Sequence, residues 1–249
     1  TANLNRRTFL KVTTVAGSGL LVGCTFQDSP NLSPLIVEPE DLGLFIRIAK
    51  DNSITIISPS VELGQGTLTA HAMIIAEELE ADWKNINVVT AQSIRSEYNT
   101  SSSGQYTAGN RGIRLWWDRL AIIGAGTREI LVEAGAQEFE VPVSECEAQN
   151  GYVLHKQSNR MLSYGQLAKS ASKLNPPSSP KLKSRDQYHF VGKPIPRIDI
   201  PAKVNGSAIY GTDVRLPGMS YAAVSQSPVF GGKVKSYDRG AAIAVKGVE

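Results

Sequence analysis

Val61-Glu62-Leu63-Gly64-Gln65-Gly66-Thr67 is the most informative stretch of this chain. It stands between a β-rich run and a long helical pattern, so it predicts a glycine-containing loop at the start of a helix. Glycine permits positive φ angles and close approach of a ligand, while free N–H groups and the helix dipole favour an anion there. The stretch therefore predicts a site for a phosphorylated cofactor or, in the plainer interpretation, a tight turn that caps a helix.

The spacing of this loop excludes the common nucleotide-binding loops. A dinucleotide fingerprint requires glycine or alanine at the third position of G-x-G-x-x-G, where this chain has Thr69. A P-loop requires G-K-[ST], which the chain lacks.

The residues around the loop predict an α+β fold. Runs 44–49 and 53–58 read as strands joined by a hairpin at Lys50-Asp51-Asn52, and the second run leads into the glycine loop. A helix follows over 67–81, and Ile86–Thr90 reads as the next strand. The predicted buried stripe of that helix comprises Leu68, Met73, Ile74, Ile75 and Leu79, with Glu77, Glu78 and Glu80 toward its far end.

A second polar loop precedes a second long helix, predicted over 113–136. It contains glycines and hydroxyl residues and ends in Thr107-Ala108-Gly109-Asn110-Arg111-Gly112. Hydroxyl and backbone N–H groups there predict another oxyanion cradle, with an ordinary surface loop as the alternative. Further along, Ser163 and Gln166 form a capping-box pattern that predicts a helix through Ser172. Three residues of the second long helix are predicted to lie in the core: Trp116, Trp117 and Leu120.

Composition permits a globular enzyme and excludes little else. The chain has 249 residues, of which 41% are apolar, enough for one or two domains. Basic residues are scattered, so no nucleic-acid-binding face is predicted. The two cysteines, Cys24 and Cys146, cannot form a Cys-x-x-Cys motif. The three histidines match no metal-binding spacing and are interpreted as structural or surface residues: His71, His155 and His189.

Residues 1–24 have the pattern of an export signal. Asn5-Arg6-Arg7-Thr8-Phe9-Leu10-Lys11 matches the twin-arginine motif, and the apolar stretch 12–22 is too short to span a bilayer. Leu21-Val22-Gly23-Cys24 also has the shape of a lipobox, with a conventional signal as the alternative. We expect a location on the periplasmic side of the cytoplasmic membrane, with lipidation at Cys24 if the lipobox is used. Mass spectrometry of the mature N-terminus distinguishes the two outcomes.

Composition also suggests domain limits. A Ser-, Pro- and Asn-rich linker at 25–39 precedes a first domain over 40–174, and a Pro-, Ser- and Lys-rich linker at 175–190 precedes a second domain over 191–249. Short strands are expected in the second domain near 207–210, 220–225 and 233–236.

Several of these motifs resemble one enzyme family. Glu62-Leu63-Gly64-Gln65-Gly66-Thr67, Ala76-Glu77-Glu78-Leu79-Glu80-Ala81-Asp82-Trp83, Thr107-Ala108-Gly109 and Ser163-Tyr164-Gly165-Gln166-Leu167 are similar to the molybdopterin-binding subunits of the xanthine dehydrogenase and aldehyde oxidase family. The isoquinoline 1-oxidoreductase beta-subunit branch matches best. Past the second linker, Lys203-Val204-Asn205-Gly206-Ser207-Ala208-Ile209-Tyr210 resembles the family's α/β hammerhead domain. The similarity covers nearly the whole chain.

The resemblance implies a molybdenum–molybdopterin cofactor, as the cytosine dinucleotide. It assigns the cofactor contacts to two sets of residues, with Gln65 hydrogen-bonded to the pterin: Gly64, Gln65, Gly66 and Thr67 in the first loop, and Thr107, Ala108, Gly109 and Asn110 in the second. The second loop departs from the family's usual Thr-Gly-Gly-Ser-Thr-Ser. Ala108 removes the freedom of one glycine, and Asn110 replaces a hydroxyl with an amide.

The implied reaction is hydroxylation of an aldehyde or an N-heteroaromatic carbon with oxygen from water. Electrons would pass to iron–sulfur clusters on a small [2Fe-2S] partner subunit, with a cytochrome c as a candidate acceptor. The family's catalytic glutamate lies near the far end of the full subunit, and no Gly-x-Gly-Glu motif occurs here. We therefore expect an N-terminal fragment without turnover of its own. The alternatives are an exported, non-catalytic binding lipoprotein and a degenerate remnant of such a subunit.

Overall fold

The computed structural model describes residues 45–91, 96–100 and 104–248, together with the backbone of two strands at 11–15 and 19–23. The predicted twin-arginine pair Arg6 and Arg7, the candidate lipidation residue Cys24 and the predicted linker 25–39 lie outside these residues. Export and lipidation therefore stay predictions. Within the described part of the chain, no helix is both long and apolar enough to cross a bilayer.

A five-stranded sheet forms the base of the first unit. Its strands lie in chain order: β1 (Lys11–Val15), β2 (Gly19–Gly23), β3 (Ile46–Ala49), β4 (Ile54–Ser58) and β5 (Ile86–Thr90). Neighbours are antiparallel from β1 to β4, whereas β5 is parallel to β4 and follows it through a crossover helix. The predicted succession of hairpin, helix and strand is confirmed, and the fold is α+β.

Strands β1 and β2 occupy the segment that the sequence assigned only to export. In the structure β2 pairs with β3, with Gly19 opposite Ala49 and Leu20 opposite Ile48. Residues 12–15 are Val, Thr, Thr and Val, and such β-branched residues favour extended backbone. The same composition that suits a short apolar signal region therefore also suits a strand.

Six helices lie in the described chain: α1 (Thr67–Leu79), α2 (Arg111–Arg114), α3 (Trp117–Phe139), α4 (Tyr164–Ala171), α5 (Ile200–Val204) and α6 (Gly240–Ile243). The helix predicted over 67–81 is confirmed as α1. The helix predicted over 113–136 is divided into α2 and α3, with the longer part extending to Phe139. The break places Trp116 at the N-cap of α3, where its side chain is completely buried, as predicted.

The core lies between the sheet and helices α1 and α3, which pack against each other. Gly124 of α3 allows this packing to be close, since a Cβ there would lie 2.8 Å from the Ile75 carbonyl oxygen and 2.9 Å from Cβ of Glu78. Distances this short exclude a side chain unless the helices separate. The completely buried aliphatic residues of this core include Ile46, Ile48, Ile54, Ile56, Ile75, Leu79, Leu120 and Ile123.

A small antiparallel sheet follows α3, made of β6 (Cys146–Gln149), β7 (Tyr152–His155) and β8 (Met161–Ser163). The predicted capping box is confirmed, because Ser163 and Gln166 cap α4 reciprocally. The His155 ring contacts Ser158 Oγ at 2.6 Å and Glu145 Oε2 at 3.0 Å. His155 is therefore structural, in agreement with the sequence interpretation.

The predicted linker at 175–190 is corrected, because this segment packs on the first unit. The compact unit extends to Val204. Glu77 is 1% exposed, and its carboxylate accepts hydrogen bonds from the backbone N–H groups of residues 189–191. The same carboxylate forms an ion pair with Lys183 Nζ at 2.7 Å. A buried carboxylate requires such partners. The domain start predicted at 191 therefore moves to 205.

The second compact unit covers 205–249. The strands predicted near 207–210, 220–225 and 233–236 are corrected, since residues 205–248 contain only a 3₁₀ turn at Gly211–Asp213 and helix α6. Apolar side chains such as Val224 and Phe230 are exposed. A strand needs a hydrogen-bonded neighbour, and the described part of this unit offers none.

Candidate cofactor-binding site

The two loops predicted to form the site meet at one cavity of about 360 Å³. Its lining includes six of the predicted residues: Gln65, Gly66, Thr67, Thr107, Ala108 and Asn110. Gly64 and Gly109 belong to the same loops but do not line the cavity. The remaining lining residues are Leu63, Ala70, Arg111, Gly112 and Ile113.

Direct hydrogen bonds join the two loops. The backbone N–H of Val61 donates to Thr107 Oγ1 at 3.0 Å, and Gln105 Nε2 donates to the Pro59 carbonyl at 2.7 Å. The Thr107 hydroxyl oxygen therefore holds the first loop with one lone pair and keeps its O–H group as a donor. Both bonds fix the loops relative to each other and keep the space between them open.

Gly66 is the N-cap of α1 and adopts a φ of +85°. A Cβ at this position would have no atom within 4 Å, so the backbone conformation, and not lack of space, requires glycine here. Gly66 is also one of the residues that line the cavity. Its missing side chain leaves room for a ligand at the backbone.

Gln65 holds the first loop in shape through its amide. Its Oε1 accepts the Leu63 N–H at 2.6 Å, and its Nε2 donates to the Val61 carbonyl at 2.8 Å. A primary amide has two hydrogens and two lone pairs. Gln65, which is exposed, therefore keeps one donor and one acceptor for a ligand in the cavity.

Glu62 changes the expected electrostatics at the start of α1. Its Oε1 accepts the N–H groups of Gly64 and Gly66, each at 2.8 Å, and its Oε2 accepts that of Leu68 at 3.1 Å. Burial acts to raise the pKa of Glu62, but these three donors and Arg197 outweigh it and lower the pKa. The free N–H cradle expected from the sequence is therefore occupied by the chain's own carboxylate.

Arg111 is the only charged side chain that lines the cavity among the described residues. Its Cζ lies 5.1 Å from the centroid of the Tyr106 ring, a cation–π distance. Arg111 was not among the residues predicted for the site. The available signal was the departure of the second loop from the family pattern, which replaces a hydroxyl residue with this cation. With Glu62 at the helix start, Arg111 is the positive group to which an anionic part of a ligand can bind.

His71 supports the site from within the core. Its Nδ1 lies 2.9 Å from Ser58 Oγ and its Nε2 lies 2.7 Å from the carbonyl oxygen of Gly112. Burial lowers the pKa of His71 to about 4, so the ring is neutral near pH 7. The described residues contain no cluster of three or more metal-ligating side chains. His71 is structural, as the sequence predicted.

A second cavity of about 810 Å³ lies among α3, β6 and residues 175–187. It contains none of the predicted site residues. Several of its charged groups are already paired, among them Lys183 with Glu80 and Arg128 with Glu78. The smaller cavity is therefore the candidate site, since it brings the two predicted loops together.

Comparison with known proteins identifies the family. Residues 11–214 match the model of the molybdopterin cofactor-binding domain. The isoquinoline 1-oxidoreductase subunit beta of Brevundimonas diminuta is 35% identical over 100% of this chain and 36% of its own length. The membrane-bound aldehyde dehydrogenase [pyrroloquinoline-quinone] of Gluconacetobacter polyoxogenes is 31% identical over 99% of this chain and 32% of its own length.

The chain thus spans about a third of the length of these curated relatives. Among solved structures, quinoline 2-oxidoreductase from Pseudomonas putida 86 aligns over 54% of this chain and 17% of its own, with 15% identity and a TM-score of 0.41. A score this low adds nothing to the assignment, which rests on the match over 11–214. The chain belongs to the molybdopterin cofactor-binding domain family.

Proposed function

We propose that the chain is the N-terminal part of the molybdenum-cofactor-binding subunit of an oxidoreductase. The proposed reaction is hydroxylation of an aldehyde or an N-heteroaromatic carbon with oxygen from water. The observation that carries the proposal is the meeting of loops 61–67 and 107–112 at one cavity, in a chain of this family. The names of the two relatives, an isoquinoline oxidoreductase and an aldehyde dehydrogenase, support the proposed substrate classes.

The residues around the cavity fit a polar heterocycle such as a pterin. Its volume of about 360 Å³ is in the range of roughly 300–1,000 Å³ usual for small-molecule sites. The hydroxyl oxygen of Ser60 is buried without a hydrogen-bond partner. It lies beside Gly112, where an added Cβ would come within 3.6 Å of it. Ser60 itself does not line the cavity, so its hydroxyl belongs to the packed layer behind Gly112 and Thr67.

Four residues would hold the cofactor. Gln65 and Asn110 offer amide groups, Thr67 offers a hydroxyl, and Arg111 offers a guanidinium for the phosphate of the proposed cytosine dinucleotide form. The cofactor, when bound, supplies the two-electron chemistry at molybdenum, while the protein binds and orients. We propose that the proton-accepting glutamate belongs to the remainder of the complete subunit.

Electrons must leave the site after each turnover, so we propose a small [2Fe-2S] partner subunit and, beyond it, a cytochrome c. A cluster requires four ligands, usually cysteine thiolates. The two cysteines of this chain, Cys24 and Cys146, cannot supply them. Names of the relatives that include "subunit" agree with an assembly of several chains.

Oxygen-isotope labelling tests the proposed reaction. The complete subunit, purified with its partners, is incubated in ¹⁸O-labelled water with isoquinoline or benzaldehyde and an artificial electron acceptor. We expect the hydroxylated product to carry ¹⁸O, and the same assay in ordinary water under ¹⁸O₂ to give unlabelled product. Product oxygen that derives from O₂, or the absence of any product from enzyme fully loaded with molybdenum, would reject the proposal.

A further inference from the structure

Arg197 contacts the Gly-Gln-Gly loop, although more than a hundred residues separate the two in sequence. Arg197 Nη1 donates to the Gly64 carbonyl at 2.8 Å, and Arg197 Nη2 lies 3.4 Å from Glu62 Oε1. One guanidinium therefore contacts both the backbone of the loop and the carboxylate that organises it.

The guanidinium is itself held in place. Asp199 Oδ1 accepts from Arg197 Nε at 2.9 Å, and Asp199 Oδ2 accepts from Nη2 at 2.7 Å, which is a bidentate pair. Hydrogen bonding to Arg197 keeps the pKa of Asp199 far below its ordinary value. Lys203 Nζ also contacts Asp199, and the N–H of Ile198 donates to Thr69 Oγ1 at 3.1 Å. The segment is thereby attached to α1, next to the loop.

Glu62 connects Arg197 to the parts of the loop that line the cavity. The Glu62 side chain is only 10% exposed, and its carboxylate accepts the N–H groups of Gly64, Gly66 and Leu68. Arg197 thus fixes Glu62 on one side, and Glu62 fixes the loop backbone on the other. Gln65 lies between Gly64 and Gly66, so the direction of its amide depends on both contacts.

We propose that Arg197 is a positioning residue for cofactor binding, which acts through Glu62 and the Gly64 carbonyl to hold Gln65 and Gly66 toward the cavity. That the ligand is the molybdenum cofactor rests on the proposed function. The restraint of the loop does not, since it follows from contacts within this chain.

If Arg197 only stabilised the fold, its loss would affect the core of the first unit as well as the loop. Arg197 is 32% exposed and contacts a surface loop, not the core residues between the sheet and α3. Its loss should loosen 61–68 and leave the centre of α1 unchanged. Lysine keeps the charge but lacks the planar fork that reaches Asp199, Glu62 and Gly64 together, so it should restore only part of the effect.

Hydrogen exchange measured by mass spectrometry tests the proposal on the complete subunit prepared without cofactor. In Arg197→Gln we expect the amides of 64–68 to exchange at least about tenfold faster, the factor for loss of one charge-assisted bond. Exchange at 74–79 should stay as in wild type. Asp199→Asn should also accelerate exchange at 64–68, because it removes the carboxylate that holds the Arg197 guanidinium. This second variant replaces Arg197→Gln in the test if Arg197→Gln does not fold. Arg114→Gln is the matched control, because Arg114 is exposed and does not line the cavity.

Unchanged exchange at 64–68 would overturn the proposal, as would an equal acceleration throughout α1.

Molybdenum and pterin content is then compared in cofactor-loaded preparations, where we expect a severalfold decrease in Arg197→Gln relative to Arg114→Gln. Equal loading of the two variants would overturn the positioning role and leave the proposed function intact. A wild-type subunit without any pterin would refute the proposed function, while the exchange result would still stand.

Discussion

Single side chains set the chemistry of the candidate site. Glu62 neutralises the start of α1 with its own carboxylate, and Gln65 uses half of its hydrogen-bonding capacity to close the loop. Arg111 is left as the positive group that lines the cavity in the described chain. We therefore expect an anionic part of a ligand to bind beside Arg111 at the second loop.

His71 makes the stability of the first unit dependent on pH. Burial lowers its pKa to about 4 in the folded state, against an ordinary value of 6.5. The unfolded chain therefore binds a proton more readily, and the stability present above pH 6.5 is lost as the pH falls toward 4. The loss from this residue should reach about 3 kcal/mol.

Urea unfolding between pH 7.5 and pH 5 measures this effect. His71→Gln should be less stable at pH 7.5, because a buried ring is lost, but its unfolding free energy should fall less steeply with decreasing pH. His189→Gln should keep the wild-type slope, since His189 is exposed. If His71→Gln shows the same slope as wild type, His71 is not the group responsible.

At the scale of helices and strands, the contact between α1 and α3 depends on Gly124. A Cβ there would lie 2.8 Å from the Ile75 carbonyl oxygen. We expect Gly124→Ala to lower the unfolding free energy by about 1–3 kcal/mol, because the helices must separate. Helix propensity alone predicts a gain of about 1 kcal/mol. Thermal and urea unfolding of Gly124→Ala and wild type decide between the expected loss and the expected gain in stability. A variant more stable than wild type would contradict the close contact between α1 and α3.

The sequence predicted those helices, strands and turns that depend on residues close together in the chain. The hairpin at 50–52, helix α1, strand β5 and the capping box at Ser163 all follow from turn residues, periodicity or caps. Contacts between distant parts of the chain were missed. Glu77 is buried because residues 183–191 fold over it, and nothing in a Pro-, Ser- and Lys-rich segment signals that contact.

The same distinction applies to the site. Six of the eight predicted residues line one cavity, because glycine, hydroxyl and amide residues before helices are a local signal. Glu62 was not recognised as the group that fills the helix start, although it stands two residues before Gly64. Arg197 could not be found from the sequence, since its approach to Gly64 depends on the path of the whole first unit.

The chain as a whole divides into two compact units, with the boundary in sequence between residues 204 and 205. The first carries the candidate site and nearly all of the family match, which covers 11–214. The chain spans about a third of its relatives, so activity and partner binding are properties to test on the complete subunit.

We propose that loops 61–67 and 107–112 bind a molybdenum–pterin cofactor. Molybdenum and pterin content of the complete subunit tests this proposal most directly, in wild type and in two variants of the first loop. Gln65→Ala removes an amide at a cost of about 1–3 kcal/mol in ligand binding. Gly66→Val places a β-branched residue at a φ of +85°, which such residues strongly disfavour. Gly206→Val is the matched control, because Gly206 also has a positive φ, +78°, and lies in the second unit.

We expect stoichiometric molybdenum and pterin in wild type and in the control, because the two loops are unaltered in both. We expect a severalfold loss in Gln65→Ala and a greater loss in Gly66→Val. Folded variants of both kinds that retain full molybdenum and pterin would contradict the proposal, and would show that the Gly-Gln-Gly loop only caps helix α1.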